Sequence, residues 1–468
     1  MTPGDDLVAR RGAGRDLLVA VDEREARGAG LERALRAAIR DGRLAPGTRL
    51  PSSRALAADL GWARGTVAGA YSQLVAEGWL AARAGAGTVV AAGAEAEHAA
   101  APVAEVARTM RYDLRAGSPD VASFPRGAWA AAMRRVLREA PDSALRLGDP
   151  RGRVELRSAL AAYLGRARGV VAAPERIVIC SGFVQALALL ATALGPRATI
   201  AMEDPCLALH REVVRAVGPR VTALPVDEGG ARVDALGDAD AVVVTPAHQV
   251  GLGSTLAPER RAALADWDGL VVEDDYDGEF RYDGRPVGAL QALAPDHIVY
   301  AGTASKSLSP ALRLAWLVLP ERWLGPVVEA KLLADSASPA LEQLALARLI
   351  ESGVLDRHLR RARARYRRRR DALVAALAER APSVRLLGIA AGLHAVLALP
   401  PHAPPEPEIL AAARERSLAV TALGPFWHEP AGHLPALQIG YATPPDHAYD
   451  GALRVLAEVI REAASRGS

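Results

Sequence analysis

Lysine is almost absent from this chain. It occurs twice in 468 residues, as Lys306 and Lys331, and every other one of the 57 basic residues is arginine. Lys306 nevertheless stands between two serines in "TASKSLSP". A guanidinium stays protonated in proteins, so arginine cannot serve where an amine must lose its proton and attack a carbonyl. A surface lysine that survived the arginine bias is the competing reading of this stretch. Cysteine is equally scarce: Cys180 and Cys206 allow no disulfide framework, and a reducing cytoplasm is the expectation. No run of eighteen apolar residues exists, which excludes a membrane-spanning helix. The opening "MTPGDDLVARRGAGRD" lacks the long apolar core of a signal peptide. No Cys/His spacing suggests a metal.

What is present is an ordinary globular composition, half hydrophobic and 24% charged, long enough for two or three domains. The net charge of +3 is small but unevenly placed. Residues 30–92 carry eight arginines against four acidic residues, a basic module on a nearly neutral body. In that module Leu31, Leu35, Ala38 and Ile39 share one helical face, and Gly42 supplies a stop. "PSSRALAADLG" reads as a second helix capped by Ser52 or Ser53. "ARGTVAGAYSQLVAEG" reads as a third, with Val67, Tyr71, Leu74 and Val75 on one face. "WLAARAGAGTVVA" reads as a hairpin. Three helices and a hairpin make a winged helix-turn-helix, assigned to residues 15–91, with the third helix as reader of double-stranded DNA. Its candidate DNA contacts are Ser52, Ser53 and Arg54 at the second helix, Arg64 and Thr66 at the third, and Arg83 and Gly87 at the hairpin. Residues 92–110, Ala-rich and without strand pattern, read as a linker.

Residues 111–468 alternate short apolar strands with helices, an α/β pattern with a large part to about 340 and a smaller one from 341. Five strands, "RIVICSG", "ATIAMEDP", "DAVVVTPAHQ", "LVVEDDYD" and "IVYAGTASK", each end in a polar cluster. Ligands of open α/β sheets bind beyond the carboxyl ends of the strands, so the clusters are expected at one edge. Their chemistry suits pyridoxal phosphate, which needs a lysine amine and a carboxylate for the pyridine nitrogen. It also needs a cradle of backbone N–H groups at a helix start, hydroxyls and an arginine. Lys306 and Asp274 supply the first two, and Tyr276 a partner for the ring hydroxyl. Ser181, Gly182 and Phe183 open a helix directly after a strand, and Thr303, Ser305 and Arg313 flank the lysine. Each residue alone has a plain structural reading, as a cap, turn or surface pair; the ordered set favours the cofactor. The arginine run "RHLRRARARYRRRRD" reads as a solvated helix face with Leu359 and Tyr366 turned inward. His394 reads as a core or interface histidine.

The motifs "GRLAPGTRLPSSRALAADLG", "TVAGAYSQLVAEGWL", "GDPRGRVELRSALAAYLGRARGV", "TPAHQ", "EDDYDGEFRY", "TASKSLSPALRLAWL" and "AGLHA" occur in this order. Together they resemble the MocR-type branch of the GntR regulators, in which a winged helix is fused to a fold-type I aminotransferase-like domain. The resemblance implies a homodimer that binds operator DNA and pyridoxal phosphate. It implies that Lys306 carries the cofactor, Asp274 meets its ring nitrogen, Tyr276 its ring hydroxyl and Arg313 its phosphate. His248 and Gln249 of "TPAHQ" join the candidate cofactor contacts.

The chain also departs from the pattern. Leu207 stands where the family usually places an aromatic residue over the cofactor ring, and Gly251 and Leu252 where it usually shows Pro and Thr. Ala63 replaces a serine of the reader. Gln438 occupies the place where aminotransferase-like domains commonly hold a substrate carboxylate with arginine, and a neutral amide cannot form that bidentate pair. The expectation is a regulator that senses the cofactor itself, or an effector lacking that carboxylate. A working aminotransferase with an appended DNA-binding module is the alternative, and a cofactor-free dimerising domain is a third reading.

Overall fold

All five apolar runs are strands of one eight-stranded sheet. In the computed structural model, which describes residues 17, 26–83, 87–92, 110–284, 287–429 and 431–465, the order starts at Ile177–Cys180. It continues through Ala315–Val318, Ile298–Thr303, Leu270–Asp274, Ala241–Val244, Thr199–Asp204, Arg220–Asp227 and Gly230–Ala231. Ala315–Val318 runs antiparallel to both of its neighbours, so Ile177–Cys180 points the same way as Ile298–Thr303. The remaining joins from Ile298–Thr303 to Arg220–Asp227 are parallel. The five carboxyl ends therefore meet at one edge, as the strand pattern predicts. The antiparallel strand "AWLV" escaped the sequence reading, because a four-residue apolar run carries no directional signal.

The five apolar strands are buried on both faces, which is why they read as continuous apolar runs rather than alternations, whereas the outer strand Arg220–Asp227 is mostly exposed or half-buried. A second, four-stranded antiparallel sheet contains His394–Ala398 and Ala436–Gly440. It packs with the long helix Val354–Arg380, whose Leu359 and Tyr366 point inward and are 4% and 2% exposed. Arg369 of the arginine run is also buried and donates to the Tyr441 and Ala442 carbonyls, so that helix is not solvated on every basic position.

The chain divides into two units, Met1–Arg108 and Thr109–Ser468. The first contains helices Arg27–Arg40, Ser53–Leu60 and Arg64–Ala76 and the antiparallel hairpin Leu80–Arg83 with Gly87–Val90. Leu31, Leu35, Ile39, Leu56, Val67, Tyr71 and Leu74 form its core. Val75 is 37% exposed instead, since one residue beyond Leu74 is a 100° rotation away from the buried face. Ala70 takes the inward place. Most of the 92–110 stretch, and residues 15 and 16, lie outside the described residues.

Candidate functional site

Three consecutive acids, Glu273, Asp274 and Asp275, close the strand Leu270–Asp274, and the structure treats them differently. The Glu273 carboxylate accepts the backbone N–H groups of Leu290 and Gln291 at 2.8 and 2.9 Å. Asp275 is held in a buried bidentate pair with Arg168, at 2.6 and 2.9 Å, and accepts the Tyr300 hydroxyl at 2.8 Å. Alternation along a strand turns Asp274 to the opposite face. There it is 7% exposed, and among the described residues nothing donates a hydrogen bond to it. Burial, then the neighbouring Asp275, pushes its carboxyl well above the usual range, against the pull of Lys306. A largely buried acid that faces a cavity with no donor among the described residues suits a donor brought by a ligand.

Asp274 lines a cavity of about 430 Å³ together with Tyr276, Thr303, Ser305, Lys306 and Arg313. Lys306 lies in the short turn of helix Ala304–Ser307 after the strand Ile298–Thr303, and its amine donates to the Gly117 carbonyl. Burial lowers the Lys306 pKa, while Asp277 and Asp274 oppose that shift. A lysine held this way yields its proton more readily than a surface one. Arg313, in the left-handed region at φ 51°, donates to the Ser181 carbonyl. That approach requires Gly182: a Cβ there would lie 2.4 Å from an Arg313 nitrogen. Gly182 precedes the helix Phe183–Leu194, whose first N–H groups have no acceptor within the helix. The Ser181 N–H is not among the free donors, because it donates to the Gln185 side chain at 2.7 Å. Thr303 Oγ1 and Ser305 Oγ are 3.0 Å apart.

His248 and Gln249 do not line the cavity. His248 Nδ1 is 2.8 Å from Asp277 and 3.2 Å from the Tyr276 hydroxyl, so it backs the tyrosine. Gln249 binds the Pro205 carbonyl at 2.7 Å and accepts the N–H groups of Gly251 and Leu252, which holds the loop. Gly251 fits that loop because a Cβ would come within 2.4 Å of Pro205. Ligating atoms of His248, Asp277 and His394 lie within 4.8 Å of one another, but the His394 ring already meets the Val250 carbonyl at 3.2 Å.

The cavity also contains residues that the sequence reading missed. His210 faces the Phe183 ring at 4.9 Å, and burial, with Lys306 nearby, pushes its pKa down to about 4. Glu203 accepts the Thr245 hydroxyl at 2.5 Å, and burial pushes its pKa up to about 7. Glu203 stands in the polar end of "ATIAMEDP" but was not singled out there, and His210 has no motif spacing of its own. His394, read as a core histidine, is buried but also lines the cavity. Leu207 contributes an apolar wall, and Gln438 donates to the Val250 carbonyl at 2.6 Å. The only lysine and arginine side chains lining the cavity, among the described residues, are Lys306 and Arg313.

In the first unit, Ser52 accepts the Ala55 N–H at 3.1 Å and is the N-cap of helix Ser53–Leu60. Arg54 and Arg64 are exposed in the first turns of their helices, and among the described residues neither has an acidic partner. Thr66 is half-buried. Gly87 has φ 77° opposite Arg83 in the hairpin, and the Arg49 guanidinium comes within 3.6 Å of where its Cβ would stand. The Arg83 side chain lies outside the described residues.

Residues 28–90 match the family described as "Bacterial regulatory proteins, gntR family", and residues 112–454 match "Aminotransferase class I and II". The HTH-type pyridoxine biosynthesis transcriptional regulator PdxR of Corynebacterium glutamicum is 34% identical over 85% of this chain and 88% of its own length. The probable rhizopine catabolism regulatory protein MocR of Rhizobium meliloti is 33% identical over 73% of this chain and 75% of its own. The chain belongs to the MocR-type branch of the GntR regulators. Its second unit has the fold of α-aminoadipate aminotransferase LysN from Thermus thermophilus, solved with N-(5'-phosphopyridoxyl)-L-leucine. That match has a TM-score of 0.69 and 26% identity over 77% of this chain and 94% of the other. The MocR-type architecture makes the chain a transcriptional regulator with a winged helix for operator DNA and an aminotransferase-like unit for pyridoxal phosphate. Among the described residues no helix is long and apolar enough to cross a membrane.

Proposed function

We propose that this regulator reads the supply of pyridoxal phosphate through the cavity around Lys306 and transmits it to operator binding by residues 15–91. The observation that carries the reading is the unpartnered, buried Asp274 facing a cavity with Lys306 and Arg313. A protonated pyridine nitrogen is the donor that Asp274 lacks, and ion pairing would hold its carboxylate charged. Lys306 holds the amine for the cofactor's aldehyde, and Arg313 with the N–H groups of Gly182 and Phe183 holds the phosphate. Thr303 and Ser305 add hydroxyls. Tyr276, backed by His248 and Asp277, orients the ring hydroxyl. When bound, pyridoxal phosphate supplies an electrophilic carbon beside an electron-withdrawing ring.

Sensing of the cofactor rather than turnover is supported by three features. Leu207 places no ring over the cofactor. Gln438 offers no charge to a carboxylate. The similar regulator PdxR is named for pyridoxine biosynthesis. An aromatic contact is worth about 0.5–1.5 kcal/mol, so its loss favours an exchanging ligand. In this reading the protein is a cytoplasmic homodimer, residues 92–110 join the units, residues 111–468 form the effector domain, and Ser53, Arg54, Arg64, Thr66, Arg83 and Gly87 approach the DNA. Steady transamination of an amino donor and keto acceptor by the purified protein would overturn it in favour of an enzyme. Reversible loading from free pyridoxal phosphate without such turnover supports it.

A further inference from the structure

The second lysine of the chain is enclosed completely. Lys331, in the helix Glu321–Asp335, is 0% exposed. It donates to Asp335 at 2.5 Å and to the Ser338 hydroxyl at 3.0 Å. Helical pairs four residues apart usually sit in water, where they contribute little. Here the ammonium is enclosed while the Asp335 side chain keeps 28% of its surface exposed, so the lysine charge depends on its two acceptors. The second Asp335 oxygen accepts the Gln185 side-chain nitrogen at 2.7 Å, and the Gln185 oxygen takes the Ser181 N–H at 2.7 Å. The carbonyl of Ser181 is held from the other side by Arg313. Ser181 is thus gripped at both its N–H and its carbonyl, immediately before the helix start that faces the cavity.

We propose that Lys331 is a positioning residue for the anion-binding turn, acting through Asp335 and Gln185 on the Ser181 backbone. The inference rests on the reading of the cavity as a pyridoxal phosphate site. Lys331 does two things there. It cancels the Asp335 charge, which would otherwise stand behind an anion, and it fixes the carboxylate that orients Gln185. A compact ammonium with rotatable donors can serve Asp335 and Ser338 in an enclosed space, where a planar guanidinium fork cannot turn to suit both. Both lysines of the chain then serve one ligand, Lys306 by bonding to it and Lys331 by shaping the turn that receives its phosphate.

The test compares pyridoxal phosphate with pyridoxal, which lacks the phosphate. Affinities of the full chain for each are measured by absorbance and by borohydride trapping at Lys306. Lys331→Met and Gln185→Leu should each reduce the preference for the phosphorylated aldehyde by about fivefold, the scale of one lost hydrogen bond, while leaving pyridoxal binding unchanged. Gln185 is only half-buried, so Gln185→Leu decides the matter where Lys331→Met fails to fold. An unchanged preference in Gln185→Leu, or equal loss for both aldehydes, overturns the inference alone. A wild-type protein that traps neither aldehyde overturns the cofactor reading and this inference with it.

Discussion

The side-chain nitrogen of Gln438 lies 2.6 Å from the carbonyl oxygen of Val250 and donates to it. The amide is committed to the backbone at the place where a carboxylate-binding arginine would stand. With Lys306 and Arg313 already assigned to aldehyde and phosphate, an α-amino acid finds no further lysine or arginine among the described residues of the cavity. Millimolar alanine, glutamate or leucine should therefore leave the absorbance of the pyridoxal phosphate-loaded protein unchanged. Gln438→Arg should create a response to at least one of them. A spectral change in the wild type on adding an ordinary amino acid would show that another group anchors the carboxylate.

Lys306→Arg keeps the charge and loses the nucleophile. The variant should fold as the wild type does, by circular dichroism, and should yield no adduct trapped by borohydride. Trapping on Lys331 would contradict the assignment, since that amine is sealed against Asp335 and Ser338.

The neighbours Asp274 and Asp275 should answer substitution in opposite ways. Asp275→Asn leaves the buried Arg168 without its carboxylate and should cost about 3–5 kcal/mol of stability. Asp274→Asn removes a buried acid that has no donor in the cofactor-free protein. The folded pKa of Asp274 is raised, so the native state retains a proton that the unfolded chain releases above about pH 4. Cofactor-free wild type should lose stability as pH rises from the unfolded pKa towards the folded one. Asp274→Asn should lack that loss, gain about 1–3 kcal/mol at neutral pH, and bind pyridoxal phosphate more weakly. Urea denaturation at pH 4 and pH 7 measures both. Equal pH dependence in the two proteins would mean that Asp274 is not the unpartnered acid.

Arg54→Ala and Arg64→Ala should each weaken DNA binding across sequences and reduce its salt dependence by about one counterion per lost phosphate contact. Neither should change the cofactor spectrum. Wild-type affinity and salt slope in both variants would move the reading face elsewhere.

The architecture was legible because its signals are local. The continuous apolar strands, their polar ends and the Gly-stopped helices each follow from neighbouring residues, and the sheet order brought all five ends to one edge. Asp274 could be picked out from Glu273 and Asp275 by its place in the motif, but its lack of a partner is visible only once Arg168 and Leu290 have claimed the other two. The Ser181 N–H was misread as a free donor, because Gln185 reaches back over one helical turn in a way that composition does not announce. His210 was missed because packing rather than spacing brings it into the cavity, and Glu203, though in the polar end of its strand, was not singled out there. Lys331 carries no motif in the sequence, and its complete enclosure shows only in the fold.

The account stands most directly on whether the cofactor alters DNA binding. A duplex selected by the protein from a random pool should be titrated with cofactor-free protein, with the pyridoxal phosphate-loaded form, and with Lys306→Ala under both conditions. The account predicts at least about a fivefold difference between the two wild-type forms, the low end of ordinary allosteric coupling, and no difference for Lys306→Ala. Equal affinity of the two wild-type forms for the same duplex would contradict it.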